Sequence, residues 1–361
     1  MAQRRKAALP HVRRVLAGRF PVSPVDEFRS VTDELEASGC REWDRYGEDG
    51  PVAVLEGRVA ALLGKPAAVM FPSGTMAQQA TLRVWCEGRG SRRVGIPALS
   101  HLLLHEEDGP RLLGGFEWAL LTSGPVVPTA EHLAAVPGRL GTVLTELPLR
   151  DAGYLLPTWE QLVELGIACR ERDVPLHLDG ARIWESAAGY GRDVREVAAV
   201  GDSVYVSFYK GLLGLGGSVV AGPVELVEEL RLWRRRYGGT LWTMLPYAVT
   251  ALRGLREELP RMGEYHQRAL EIAAALHDKG FRTFPEVPHT DAFRLFVQRP
   301  AEEVTERVVS LMETEQVALT GVWRDSEDVP GWSWTEFGVG RPAMDWAVEE
   351  AVDLLARTLS S

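Results

Sequence analysis

The stretch LHLDGARIWESA, residues 176–187, decides how the rest of the chain is read. A short apolar run ends in His-Leu-Asp, hands its only carboxylate to a Gly-Ala-Arg turn, and enters a helical pattern. That is a strand, a tight turn and a helix, with Asp179 placed at the strand end. Outward from it, short apolar runs alternate with helical patterns from about residue 50 to 260. AAVMF (67–71), GTVLTEL (141–147), PLHLD (175–179), SVYVSF (203–208) and GGSVVAG (216–222) read as strands, with TMAQQATLRVWCEG and TWEQLVELGIACRERD as helices between them. In the second helix Leu162, Leu165 and Cys169 recur at three-to-four spacing, which predicts a core-facing stripe. The alternation predicts an α/β domain with a mostly parallel sheet covered on both faces.

Beyond about residue 260 the order changes. A long helix, YHQRALEIAAALHDKG, stops at Gly280; a strand AFRLFVQ and the helices AEEVTERVVSLMETE and MDWAVEEAVDLLART follow, with an aromatic, turn-rich segment before the last. This suits a smaller α+β domain. The chain of 361 residues therefore divides into an N-terminal arm (1–45), a large domain (46–260) and a small C-terminal domain (261–361).

With 45% hydrophobic and 25% charged residues the composition is that of a soluble globular protein, and a formal net charge of −10 argues against a broad nucleic-acid surface. Arg4, Arg5, Lys6, Arg13, Arg14 and Arg19 crowd the first twenty residues without a signal-peptide core behind them, and read as a frayed, solvated tail. No apolar run reaches membrane-spanning length. Cys40, Cys86 and Cys169 are widely spaced and odd in number, which fits a reducing cytoplasm and no metal site.

Three places carry chemistry. In MFPSGTMAQQ, Ser73, Gly74 and Thr75 lie between a strand and a helix, where free backbone N–H groups and two hydroxyls form a phosphate cup, or where Ser73 simply caps the helix. Asp179 ends a strand that reads as buried, and a lone carboxylate there is expensive to desolvate. Its partner is either the protonated pyridine nitrogen of pyridoxal phosphate, whose electron-sink character it would sustain, or Arg182. Gly180 and Ala181 would let a planar ring approach the backbone, which an ion pair does not require. Lys210, just beyond SVYVSF, is placed either to form a Schiff base or to sit solvated on the surface, and Ser207 could add a hydroxyl to a phosphate. GLLGLGG follows Lys210 instead of opening a βαβ unit, so it fails the dinucleotide test. Arg234, Arg235 and Arg236 are open between a phosphate contact and a solvated helix face.

YGEDGPVAVLEGRVAALLGKPAAVMFPSGTMAQQATL, SHLLLHEEDG, PLHLDGARIWESAAGYG and SFYKGLLGLGGSVVAG, in that order, resemble the threonine aldolase and β-eliminating lyase family of fold-type-I pyridoxal-phosphate enzymes. The likeness runs from about Tyr46 to about Leu255. It implies a large domain of the aspartate aminotransferase type and pyridoxal phosphate as cofactor, with Lys210 as Schiff-base lysine, Asp179 on the pyridine nitrogen, and Ser73, Gly74 and Thr75 at the phosphate. It further implies His101 stacked on one ring face with Ala181 on the other, Arg182 on the substrate carboxylate, and Tyr46 near the substrate at a subunit interface, in a homodimer or homotetramer with shared active sites. Catalysis would rest on Lys210, His101 and Asp179.

The sequence also departs from the family. TELPLRDAGY stands where a Thr-His-Asn is usual, Trp242 and Glu336 occupy positions expected to hold arginines, and Tyr209 precedes the lysine. Glu336 and Arg341 are therefore candidate substrate contacts. The implied activity is lyase cleavage of Cα–Cβ in a β-hydroxy amino acid, giving glycine and an aldehyde. The alternatives are β-elimination or other carbanion chemistry on a different amino acid, and a protein that binds the cofactor without turnover.

Overall fold

Apolar runs buried on both faces build a seven-stranded sheet within residues 31–260. In chain order its strands are Ala67–Phe71 (β1), Arg93–Ile96 (β2), Glu117–Leu120 (β3), Thr142–Glu146 (β4), Leu176–Asp179 (β5), Ser203–Ser207 (β6) and Ser218–Gly222 (β7). Across the sheet the order is β1-β7-β6-β5-β4-β2-β3. Pairing is parallel from β3 through β2, β4 and β5 to β6; β7 alone opposes, antiparallel to both β6 and β1. Every residue of β4, β5, β6 and β7 is buried, the pattern of a sheet sandwiched between helices. The strands β2 and β3 carry too short an apolar signal to stand out in the sequence and were not expected from it.

The helices end where their local chemistry dictates. Gly74–Arg89 begins at Ser73, whose hydroxyl accepts from the Met76 N–H, and stops at Gly90 in the left-handed conformation. Trp159–Glu171 opens with a capping box between Thr158 and Gln161, and buries Leu162, Leu165 and Cys169 as the periodicity predicts. Burial pushes the Cys86 and Cys169 thiols up to about 12, which leaves them inert.

This computed structural model describes residues 1–360. They form two compact units: Val31–Pro260, and Met1–Ser30 together with the chain from Arg261 onward. The stretch expected as one arm over 1–45 is thus divided between them. Nor do its first residues fray. Ala2–Ala8 is a helix, Arg14–Val15 pairs in parallel with Val317–Ala318, and Ala8 and Val15 are buried with Met312 and Ala318. Two of the basic residues that suggested a solvated tail are ion-paired, Arg4 with Glu306 and Glu313, and Arg14 with Glu350.

In that second unit an antiparallel sheet runs in the order Arg324–Asp325, Ser333–Gly338, Ala292–Val297 and Arg282–Phe284, beside helices Met262–Asp278, Ala301–Glu315 and Val348–Ser360. Its central strand is the AFRLFVQ run. The aromatic segment read as turns contains Ser333–Gly338, whose alternating burial hides Ser333, Thr335 and Phe337. Among the described residues no helix is long and apolar enough to cross a membrane.

Candidate active site

The parallel strands of the sheet end along one edge, the usual place for a ligand in an α/β fold. There β5 delivers Asp179 and β6 leads through Ser207 to Lys210. Asp179 is buried and takes a hydrogen bond from the Ala181 N–H at 3.1 Å on Oδ1. Burial raises its carboxyl above the usual range, while the Lys210 charge and the Ala181 N–H pull it back. Lys210 is half-buried, and its amine is pushed down to about 8 by burial first and by Arg182 second, with Asp179 and Glu146 opposing. The Arg182 guanidinium lies over the Tyr154 ring, 5.5 Å from its centroid.

Gly180 was expected to make room for a ring. Instead a Cβ there would meet the Tyr205 carbonyl oxygen at 2.8 Å and Ile183 Cβ at 2.9 Å. Its missing side chain lets the turn pack on the neighbouring strand β6. Gly74 is constrained in the same way, since an added Cβ would lie 2.1 Å from the Tyr205 hydroxyl. Tyr205 is buried and its phenol is held well above its ordinary value, chiefly by burial. Ser207 is buried beside the Tyr205 phenol.

The turn after β1 presents Thr75 to Glu106. Thr75 Oγ1 donates to Glu106 Oε1 at 2.9 Å, Gln79 Nε2 donates to Oε2 at 3.5 Å, and His101 Nε2 lies 3.8 Å from Oε1. Burial raises the Glu106 carboxyl. On β4, Glu146 is buried and accepts from the backbone N–H groups of His101 at 3.0 Å and Arg150 at 3.3 Å. Burial, and then the Asp179 charge, push its carboxyl up.

His101 opens a short helical turn, His101–Leu104, and His105 follows it, so the two rings lie 4.9 Å apart. Burial, followed by the charges of Lys210 and His105, pushes His101 down to about 4, so its imidazole is neutral. His105 Nε2 is 2.9 Å from Asp151 Oδ2. His101, His105 and Asp151 converge, each bringing a ring nitrogen or carboxylate oxygen to within 4.8 Å of the others.

Other expected residues fall elsewhere. Tyr46 is 50% exposed and stacks edge-on against Trp242, itself 59% exposed, with centroids 5.2 Å apart. Arg234 is not a solvated residue: buried, it donates to the carbonyls of Met70 at 2.8 Å, Tyr46 at 3.4 Å and Gly47 at 3.5 Å, and so ties the Tyr46 loop to β1. Asp44 does the same for the loop that carries Trp242, accepting from Thr243 Oγ1 at 2.6 Å and the Met244 N–H. Glu336 and Arg341 belong to the second unit. Glu336 sits directly across the strand pair from Arg294, and Arg341 opens the short helix Arg341–Asp345.

The sequence reading thus placed Ser73, Gly74, Thr75, His101, Asp179, Ala181, Arg182, Ser207 and Lys210 on one edge of one unit. It missed Glu106, Glu146 and Asp151. The only available signal was weak: each carboxylate stands within a few residues of an apolar run but directly after a polar residue, His105, Thr145 or Arg150, and nothing local distinguishes that from a strand or helix reaching solvent.

The β-eliminating lyase family model matches residues 41–299. A low-specificity L-threonine aldolase of Escherichia coli K12 is 29% identical over 288 residues, covering 76% of this chain and 82% of its own length. A solved structure from Listeria monocytogenes, provisionally described as an L-allo-threonine aldolase, superposes with a TM-score of 0.91 at 33% identity, over 99% of this chain and 98% of the other. A serine palmitoyltransferase of Sphingomonas wittichii shares the fold alone, at 17% identity, a TM-score of 0.65, and coverage of 99% of this chain and 94% of its own. With its α/β sheet, its strand-end site and a match over most of its length, the chain belongs to the β-eliminating lyase family.

Proposed function

We propose that this protein is a pyridoxal-phosphate-dependent lyase that cleaves the Cα–Cβ bond of a β-hydroxy amino acid to glycine and an aldehyde. The observation that carries the reading is the pairing at adjacent strand ends of a buried carboxylate, Asp179, with a half-buried lysine whose amine is held near neutrality. The surrounding donors fit the cofactor. The Ser207 hydroxyl lies buried at the end of β6, and the N-terminus of the helix Gly74–Arg89 offers backbone N–H groups and the positive end of its dipole to a phosphate.

When bound, pyridoxal phosphate supplies an electron sink for negative charge at the amino acid Cα. Lys210 would hold it through the side-chain nitrogen, and Asp179 would keep a proton on its ring nitrogen. An ionised Asp179 needs such a cation, since burial otherwise drives it toward the neutral acid. His101, uncharged, would lie against one face of the ring and Ala181 against the other. Arg182 would take the substrate carboxylate as a bidentate partner, as the resemblance implies. A site for an amine substrate is supported by the burial, and then the Arg182 charge, that lower the Lys210 amine to about 8, because they leave part of it unprotonated at neutral pH.

We further infer a homodimer or homotetramer, supported by the exposed pair of Tyr46 and Trp242, and a cytoplasmic location, supported by three cysteines that are all free. The test of the activity is aldehyde release from L-threonine and L-allo-threonine by protein loaded with pyridoxal phosphate, with the visible absorbance followed in the same cell. Aldehyde from either substrate upholds the reading. No aldehyde, and an absorbance that neither amino acid perturbs, refutes it.

A further inference from the structure

We propose that His105, oriented by Asp151, is the general base that takes the proton from the substrate's β-hydroxyl. The inference rests on the cleavage reading above. Of the four histidines in residues 31–260, two are committed elsewhere: His132 closes the capping box of Thr129, and His177 is buried between Gln78 and Ser203. His101 has Glu106 3.8 Å from its Nε2, and its imidazole is a weak base, pushed down to about 4. His105 is 40% exposed and stands one helical turn further along, 4.9 Å from the His101 ring.

The geometry also selects one nitrogen. Asp151 Oδ2 lies 2.9 Å from His105 Nε2, and because an ionised carboxylate only accepts, Nε2 carries the hydrogen and donates it. Nδ1 is left as the proton acceptor. Asp151 is 18% exposed, and the Arg150 guanidinium stands 3.9 Å from the same Oδ2. A carboxylate that fixes the tautomer of an imidazole and stabilises its cation is the support a histidine base needs. TELPLRDAGY, the segment without a histidine, is the one that supplies Asp151.

In the step itself Nδ1 accepts the hydroxyl proton as the Cα–Cβ bond breaks. The O–H electron pair becomes the second bond of the aldehyde carbonyl, and the Cα–Cβ pair passes to Cα and the electron sink. The aldehyde leaves, Cα takes up a proton to give glycine, and His105 returns its proton to solvent. Asp151 is a positioning residue throughout.

The test uses the loaded, full-length protein and two reactions, of which only one needs a base for a hydroxyl. Aldehyde release is measured with L-threonine and L-allo-threonine, and exchange of the glycine α-proton is measured in D2O by NMR. His105→Gly should slow aldehyde release by about 100-fold or more, the usual range for a lost general base. Glycine exchange should stay within about twofold, which also shows that the variant folds and holds its cofactor, and added imidazole should restore release. Asp151→Asn should lower kcat for release by about tenfold or more with KM unchanged, and Asp151→Glu should recover most of the loss. Undiminished release in His105→Gly, or parallel loss of release and exchange without rescue by imidazole, overturns the proposal while wild-type cleavage stands. A wild-type protein that exchanges glycine but cleaves neither substrate removes the cleavage reading, and the role of His105 with it.

Discussion

Replacing Arg182 by alanine should move the titration of Lys210 upward. In the folded chain this amine is pushed from its ordinary 10.5 to about 8, with burial the largest cause and the Arg182 charge the next. At pH 7 an amine of that kind is about 9% unprotonated against about 0.03% for an ordinary lysine, a gain of about 300-fold in the form that attacks a carbonyl. Removing the guanidinium removes a repulsion from the ammonium, so the protonated form is stabilised and the neutral fraction falls. A rise of about one unit, typical for one nearby charge, lowers reactivity at pH 7 by about tenfold. The assay is the rate at which cofactor-free protein captures pyridoxal phosphate on Lys210, trapped by borohydride at a series of pH values and read by mass spectrometry. The wild-type rate should reach half its maximum near pH 8, and that of Arg182→Ala about one unit higher. A wild-type midpoint near 10.5, or a midpoint in the variant that stays or falls, refutes the electrostatic account of this lysine.

His177 makes the protein acid-sensitive in a way that can be isolated. It is fully buried, with its ring nitrogens 2.8 Å from Gln78 Oε1 and from Ser203 Oγ, and burial pushes it down to about 3. Unfolding therefore takes up a proton below the ordinary 6.5, so stability is lost as pH falls through the window from 6.5 to 3, by about 2 kcal/mol at pH 5. In urea unfolding the His177→Asn variant should show a shallower loss between pH 7 and pH 5 than the wild type; parallel slopes would contradict this. Gly74→Ala should lose about 1 to 3 kcal/mol by overpacking against Tyr205. Thermal unfolding of the double variant with Tyr205→Phe should recover part of that loss, and an unchanged Tm in the single variant would show that the contact is not rigid. Lys210→Ala should abolish borohydride labelling, and a label appearing on another lysine would reassign the cofactor's anchor.

The buried strands were legible because a strand covered on both faces must be apolar along its length. The runs at 67–71, 142–146, 176–179, 203–207 and 218–222 all satisfy that condition. The positions of Asp179 and Lys210 were legible for a related reason: Asp179 closes the run at 176–179 and Lys210 stands three residues beyond that at 203–207, so a charge stands out at the end of a buried element. Glu336 shows where that logic fails. Its strand pairing puts it opposite Arg294, a relation between residues 42 apart that no local pattern encodes.

By itself the sequence determined the strand and helix alternation, offered Ser73 as a helix cap, and singled out Asp179 and Lys210, because periodicity, capping and desolvation all act on neighbours along the chain. Only the tertiary structure decided that β7 runs against the rest of the sheet, that Arg234 is spent on backbone carbonyls, and that the first thirty residues join the C-terminal unit. It alone brought Glu106 to Thr75, Glu146 to the His101 backbone and Asp151 to His105. Those are contacts across 31, 45 and 46 residues, and a hydrogen bond responds to distance in space, which a sequence records only once the sheet has ordered its strands.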